Sequence, residues 1–375
     1  MTPVYLDHNA TTPVRPEAKA AVLRALDLVG NPSSVHAGGR AARALMATSR
    51  EQVAALAAVK PGSITFTSGG TEASALAIDS AVAAGCDRVL LGATEHAAVA
   101  ENARAAGLPV EVWPVDGEGL ADLDWLATAL GRGGRPLVCL MLANNETGVI
   151  QPVAEAAALV RPAGGWLHVD AVQAAGKIAI DFNALGADTL ALAAHKIGGP
   201  LGVGALVAGP RATLSRRPHG GGQERGRRAG AENLPGIAGF GAAAVAALAG
   251  LDAVAAQAVW RDALQARVEA AGAVILGQGA PRLAQTLGFA APGFDAQMQV
   301  MGMDLAGVMI SAGPACSSGK MKPSDVVAAM GRPDLAPFAI RVSGGWASTE
   351  ADWIAAGDAW LDLYARHQAR RREVA

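Results

Sequence analysis

Lys196 stands in TLALAAHKIGGPLGVGALV, directly after an apolar run and before a turn too glycine-rich to continue as helix. A lysine held in an apolar pocket loses basicity and can form a Schiff base, although most lysines sit on a surface. Asp170 and Gln173 lie in WLHVDAVQ, at the end of another apolar run. A carboxylate leaving a buried strand needs a cation or donors, and a protonated heterocycle nitrogen suits it. Capping of the next helix explains Asp170 equally well on this segment alone. ITFTSGGTEAS reads as a strand, a Ser68-Gly69-Gly70-Thr71 turn and a helix. Free N–H groups and the positive dipole end at such a helix start can hold an anion, though an ordinary cap also accounts for it. Taken together, an anion cradle, a carboxylate for a ring nitrogen and a lysine amine match pyridoxal phosphate.

Other groups follow predicted strands. His96 in ATEHAAV could stack on a cofactor ring, and Asn144 or Asn145 in LANNETGVIQPV could hydrogen-bond its oxygen. Cys316 lies in ISAGPACSSGKMKPS, among glycines and serines with Lys320 and Lys322 nearby, a locally positive setting that favours a nucleophilic thiolate. Cys139 reads as core and Cys86 as a helix-end residue. The arginine-rich RRPHGGGQERGRRAG has no stacking aromatics and reads as a solvated or interface loop rather than a nucleic-acid site. The histidines and cysteines have no zinc spacing, so no metal is expected. The turn at Ser68 also lacks the G-x-x-x-x-G-K-[ST] pattern of a nucleotide-binding P-loop.

Positioning these groups requires an alternation of strands and helices. Strands are expected at 63–67, 88–91, 110–114, 137–142, 166–169, 189–193 and 204–207, with helices such as 71–84 and 153–160 between them. Near-continuous apolar strands of this kind make a parallel sheet covered on both faces, with functional loops at the carboxyl ends of its strands. The pattern after Leu251 changes to a smaller α+β lobe. The apolar stretch 240–260 approaches spanning length but is mostly Ala and Gly and contains Asp252, which favours a buried helix pair over a membrane span.

The 375-residue chain supports a large core, and 51% hydrophobic residues exclude intrinsic disorder. A net charge of -2 exerts no broad pull on nucleic acid or anionic membrane. Only 3 cysteines exclude a disulfide framework and point to a reducing, cytoplasmic setting; the start MTPVYLDHNATTP is not patterned as a signal peptide.

YLDHNATTP, NPSSVHAGGRAAR, FTSGGTEA, TEHAAV, NNETGVIQPV, HVDAVQAAGKI, HKIGGPLGVGALV, GGGQERGRRAG, ACSSGKMKPS and IRVSGGWAST together resemble cysteine desulfurases. These are fold-type-I pyridoxal-phosphate enzymes of the class V aminotransferase superfamily, of the kind that supplies sulfur for iron–sulfur clusters. The resemblance implies an α/β fold with a large cofactor-binding domain over 14–250, its mostly parallel sheet covered by helices. The smaller α+β domain comprises 1–13 and 251–375 and carries the cysteine loop at about 311–323. It implies that Lys196 holds the cofactor and shuttles the substrate proton, that Asp170 pairs with the ring nitrogen, that Gln173 bonds the ring hydroxyl and that His96 stacks on the ring. Gly70, Thr71 and His195 hold the phosphate, while Asn145 and Arg341 bind the substrate carboxylate. Cys316 takes the sulfur of L-cysteine as a persulfide, releases alanine and passes sulfur to an acceptor or scaffold protein. The family is a homodimer with active sites at the subunit interface. Ala193 and Ala231 stand where the family usually has Ser and Thr that bond the phosphate, which implies looser cofactor binding. Alternatives are an aminotransferase or a carbon–sulfur or selenocysteine lyase on the same fold, and a degenerate interaction module that binds the cofactor weakly.

Overall fold

The computed structural model describes residues 3–313 and 322–374. A seven-stranded sheet forms the centre, in the order Ile64–Thr67, Gly204–Ala208, Thr189–Ala193, Trp166–Asp170, Pro136–Met141, Arg88–Gly92, Val110–Trp113. Every residue of Pro136–Met141 and of Thr189–Ala193 is buried. Their side chains alternate between two cores. Val138, Leu140, Leu190 and Leu192 meet Phe240, Ala243 and Val53 on one face. Leu137 and Cys139 meet Ile78, Ala81, Val99 and Ala103 on the other. Helices therefore cover both faces, and each buried Leu contributes about 1.5–3 kcal/mol relative to exposure.

Gly204–Ala208 departs from the parallel pattern and runs antiparallel to both its neighbours. The chain returns from Ala193 within a short, glycine-rich turn, too few residues for the crossover that a parallel neighbour needs. The remaining strands share one direction, so their carboxyl ends open on a single side.

A second core lies under an antiparallel sheet of Val274–Ile275, Thr286–Ala290 and Ala339–Ser343, packed by Ala258–Ala270, Ala296–Leu305 and Glu350–Val374. The amino-terminal strand Val4–Tyr5 pairs with Val308–Met309, and Leu6 is fully buried in this second core. Residues 7–12 then cross to the central sheet, where Thr12 N–H donates to the His195 carbonyl. Leu234–Ala249 and the following helices form a bent chain whose first member buries ten residues. No single helix among the described residues is long and apolar enough to cross a membrane.

Candidate active site

A cavity of about 350 Å³ opens where the strands end and the second lobe closes over them. Nine of the ten residues singled out in the sequence line it: Gly70, Thr71, His96, Asn145, Asp170, Gln173, His195, Lys196 and Arg341. The tenth, Cys316, lies outside the described residues, as do Lys320 and most of its loop. Ser311 and Gly313, which lead into that loop, line the same cavity.

Lys196 ends a one-turn 3-10 segment that follows Thr189–Ala193. Its Nζ donates to the carbonyls of Asn9 at 2.5 Å and Ala10 at 2.7 Å. Burial, aided by Arg341, lowers its pKa to about 8, against the opposing pull of Asp170 and Asp7. A neutral, nucleophilic amine is thus accessible near neutral pH.

Asp170 is the last residue of its strand and accepts one hydrogen bond, from Val172 N–H at 2.9 Å. Burial raises its pKa, while that N–H, His96 and Lys196 hold it down. A cationic ring nitrogen beside it would draw the proton off and repay the desolvation. Near it stands Glu95, half-buried, whose Oε1 accepts from Met141 N–H and whose buried Oε2 has no partner among the described residues. Burial and the neighbouring Asp170 push the Glu95 carboxyl well above its usual range. His96 caps Ala97–Ala105, its Nδ1 accepting from Ala98 N–H at 3.1 Å.

The helix Gly70–Ala83 starts at the cavity with no side-chain cap from Gly69, so its first N–H groups are free to meet an anion. Thr71 is inside the first turn rather than at the cap. A Cβ at Gly70 would come within 2.9 Å of Val172 Cγ2 and 3.8 Å of Ala193 Cβ, so a side chain on this wall of the cradle would have to push Val172 aside. Glu72, in the same turn, is neutralised by Arg228 at 2.8 Å. His195 rests its Nδ1 3.3 Å from Thr11 Oγ1, and burial with Lys196 and Lys177 lowers its pKa to about 4, leaving it neutral.

Arg341 is nearly enclosed. Its NH2 donates to Asp7 Oδ1 at 2.5 Å and its NH1 to the Asn145 carbonyl at 2.9 Å. The two adjacent asparagines divide their work. Asn144 Oδ1 accepts from Glu146 and Thr147 N–H and pins the loop, whereas Asn145 faces the cavity.

The sequence reading passed over the segment that ties the site together. Asn9 Nδ2 donates to the Asn145 carbonyl and to Thr286 Oγ1, its own carbonyl accepts from Gln173 Nε2 and Lys196, and its Oδ1 accepts from Lys177. Asp7, Lys177 and Glu95 were missed with it. Their signal was the resemblance, since Asp7 and Asn9 stand in YLDHNATTP, Glu95 in TEHAAV and Lys177 in HVDAVQAAGKI, but no local feature gave them a role.

Elsewhere, the arginine-rich loop is directed at its own chain: Arg217 pairs with Asp79, and Arg225 and Arg227 donate to the Gly62 carbonyl. Cys86 and Cys139 are buried free thiols; burial pushes the first up to about 11 and the second well above its ordinary value. Among the described residues no three His, Cys, Asp or Glu groups converge as a metal site.

These residues fit a pyridoxal phosphate. The lysine, the buried carboxylate, the imidazole of His96 and the uncapped helix start meet in one cavity. Comparison with known proteins agrees. The family Aminotransferase class-V matches residues 4–353. A cysteine desulfurase of Cereibacter sphaeroides is 44% identical over 94% of this chain and 93% of its own length. The cysteine desulfurase IscS of Dictyoglomus turgidum is 36% identical, covering 93% of this chain and 91% of that protein. The X-ray structure of a NifS-like protein from Rickettsia africae superposes with a TM-score of 0.89 at 32% identity, covering 97% of this chain and 99% of that one. Enzymes of this family depend in general on pyridoxal phosphate. The chain belongs to the class-V aminotransferases and, within them, to the cysteine desulfurase family.

Proposed function

We propose that this protein is a pyridoxal-phosphate-dependent cysteine desulfurase that converts L-cysteine to L-alanine and carries the sulfur on Cys316. The observation that carries this reading is the convergence of Lys196, Asp170, His96 and Arg341 on one cavity with the shoulders of the cysteine loop. Bound pyridoxal phosphate supplies an electron sink that loosens bonds at the substrate Cα and Cβ.

The chain's own residues do the rest. Gly70 and Thr71 N–H groups with His195 hold the phosphate, Asp170 holds the ring nitrogen protonated and Gln173 donates to the ring oxygen. His96 covers the ring face. Arg341, with Asn145, takes the substrate carboxylate and so fixes which Cα bond faces Lys196, whose amine moves the proton at Cα. The Cys316 thiol accepts the substrate sulfur: one carbon–sulfur bond breaks, one sulfur–sulfur bond forms, and L-cysteine plus thiol become alanine plus persulfide. A sulfur acceptor, such as an iron–sulfur scaffold, then takes the sulfur. A cytoplasmic homodimer completes the proposal. The exposed Leu26, Val29, Val35 and Leu201 supply apolar surface for a second subunit.

The test is product analysis. Protein loaded with pyridoxal phosphate is incubated with L-cysteine and a thiol reductant, beside Cys316→Ala. Equal alanine and sulfide, lost in the variant, are expected. Pyruvate and ammonia surviving in the variant would make the protein a lyase, and failure to bind the cofactor at all would leave the interaction-module reading.

A further inference from the structure

Lys177 is a buried lysine with no carboxylate paired to it among the described residues. Its Nζ donates to Gln173 Oε1 at 2.6 Å and to Asn9 Oδ1 at 3.3 Å, both uncharged. The contact depends on a local backbone device. Gly176, at φ +68, turns the chain so that Lys177 folds back over Gln173. A Cβ on Gly176 would meet Ala247 and Ile197 at 2.9 Å, so no other residue fits there. Gln173 uses its Nε2 on the Asn9 carbonyl at 2.8 Å and has a second N–H on the same nitrogen.

An amide at this position is ambiguous by shape. Reversed, it would put its oxygen toward the Asn9 carbonyl and, in the cavity, present an acceptor where the proposed ligand has an oxygen. Two acceptors facing each other are repulsive, and Lys177 reinforces the observed orientation by donating to the Gln173 oxygen from one side while the Asn9 carbonyl takes the nitrogen on the other.

We propose that Lys177 is a positioning residue that fixes the Gln173 carboxamide with its oxygen turned inward, so that its N–H is presented to the ring oxygen of the bound cofactor. This rests on the proposed cofactor reading and names a further residue for it. Around Lys177 the charged and titratable groups are Lys196, Arg341, His8 and His195, with Asp7 and Asp170 acting on Lys196. Burial and the two cations Lys196 and Arg341 hold the Lys177 amine well below its ordinary pKa. A neutral amine still donates the two hydrogen bonds observed.

The experiment is a double-mutant cycle on pyridoxal phosphate binding, with wild type, Lys177→Met, Gln173→Leu and the double variant. Two readouts are used: the dissociation constant for pyridoxal phosphate added to cofactor-free protein, and the pH midpoint of the bound cofactor's visible absorbance. Lys177→Met should weaken binding about tenfold and raise the midpoint, because a donor lost from an ionised oxygen makes it more basic. On the Gln173→Leu background Lys177→Met should add less than twofold. Independent, multiplicative losses with an unmoved midpoint would reduce Lys177 to a packing role and overturn the proposal. Should Lys177→Met not fold, neutron diffraction of the wild-type holoenzyme decides: a Gln173 nitrogen facing Lys177 overturns it. A wild-type protein that binds no pyridoxal phosphate would instead sink the functional reading, and this proposal with it.

Discussion

Arg341 has to be rigid enough to orient a carboxylate and yet not be neutralised so completely that it ignores one. Asp7 meets both demands, with Arg341 6% exposed and Asp7 21% exposed in the pair. Asp7 also raises the pKa of Lys196. Asp7→Asn should therefore do two things. It should lower stability by about 2 kcal/mol, less than the 3–5 kcal/mol typical of a fully buried pair, because water reaches Asp7. It should also lower the Lys196 pKa further, moving the pH profile for uptake of pyridoxal phosphate by the cofactor-free protein to lower pH. A profile that stays in place while stability falls would separate Asp7 from Lys196. Ala193 makes the opposite kind of case. Its methyl lies beside the Gly70 cradle, so Ala193→Ser should restore a hydroxyl within reach of the phosphate. One added hydrogen bond tightens pyridoxal phosphate binding roughly two- to tenfold, measured by titration of cofactor-free protein.

At the scale of elements, the cradle is held from behind by a buried ion pair. Arg50, on Ala37–Ala55, meets Glu224 through two hydrogen bonds of 2.7 Å, with side chains only 8% and 2% exposed. Glu224 also accepts from Phe66 N–H and Arg50 donates to the Ile64 carbonyl, so both brace the strand that delivers the Ser68–Thr71 turn. Glu224 and Arg225 adopt left-handed φ values of 47° and 60°, a cost the buried pair offsets. Glu224→Gln keeps the shape but leaves Arg50 uncompensated, so it should cost about 3–5 kcal/mol in urea unfolding. Arg104→Ala, which breaks an exposed pair, should change it by no more than about 0.5 kcal/mol. This pair also marks the limit of sequence reading. Strands and their functional ends were legible because apolar runs, turn residues and period are local signals. Glu224 looked like one more charge in a solvated loop because its partner is 174 residues away. The hub at Asn9 was hidden in the same way: Arg341 and Asp7 are 334 residues apart, and nothing local announces their contact. The reversed strand Gly204–Ala208 was hidden for a different reason, since apolar alternation carries no direction.

Across the whole molecule, the buried ionisable groups fall into two sets whose pH effects oppose one another. His8 and His168 have pKa values lowered to about 4 by burial, so between about 6.5 and 4 the folded protein binds fewer protons than the unfolded chain. Stability from these groups falls as pH falls through that window, by on the order of 3 kcal/mol for each at full acid. Glu95 is raised well above its ordinary value, chiefly by burial and then by Asp170, and so binds more protons when folded. Its contribution is present at low pH and is lost as pH rises past the usual carboxylate range. Because wild-type stability is the difference of the two sets, a single curve hides both, and substitutions expose them. His168 touches neither the cavity nor a charge, with Nδ1 3.0 Å from Thr189 Oγ1 and Nε2 unpartnered. Relative to wild type, His168→Asn should therefore gain stability on going from about pH 7 to about pH 4.5. Glu95→Gln should show the reverse, gaining on wild type as pH rises from about 5 to about 8. Denaturant midpoints across this range measure both. If the Glu95→Gln difference stays flat from about pH 5 to about pH 8, the carboxyl at Glu95 is ionised in the folded protein, and Asp170 has a second negative charge as its neighbour rather than a neutral acid.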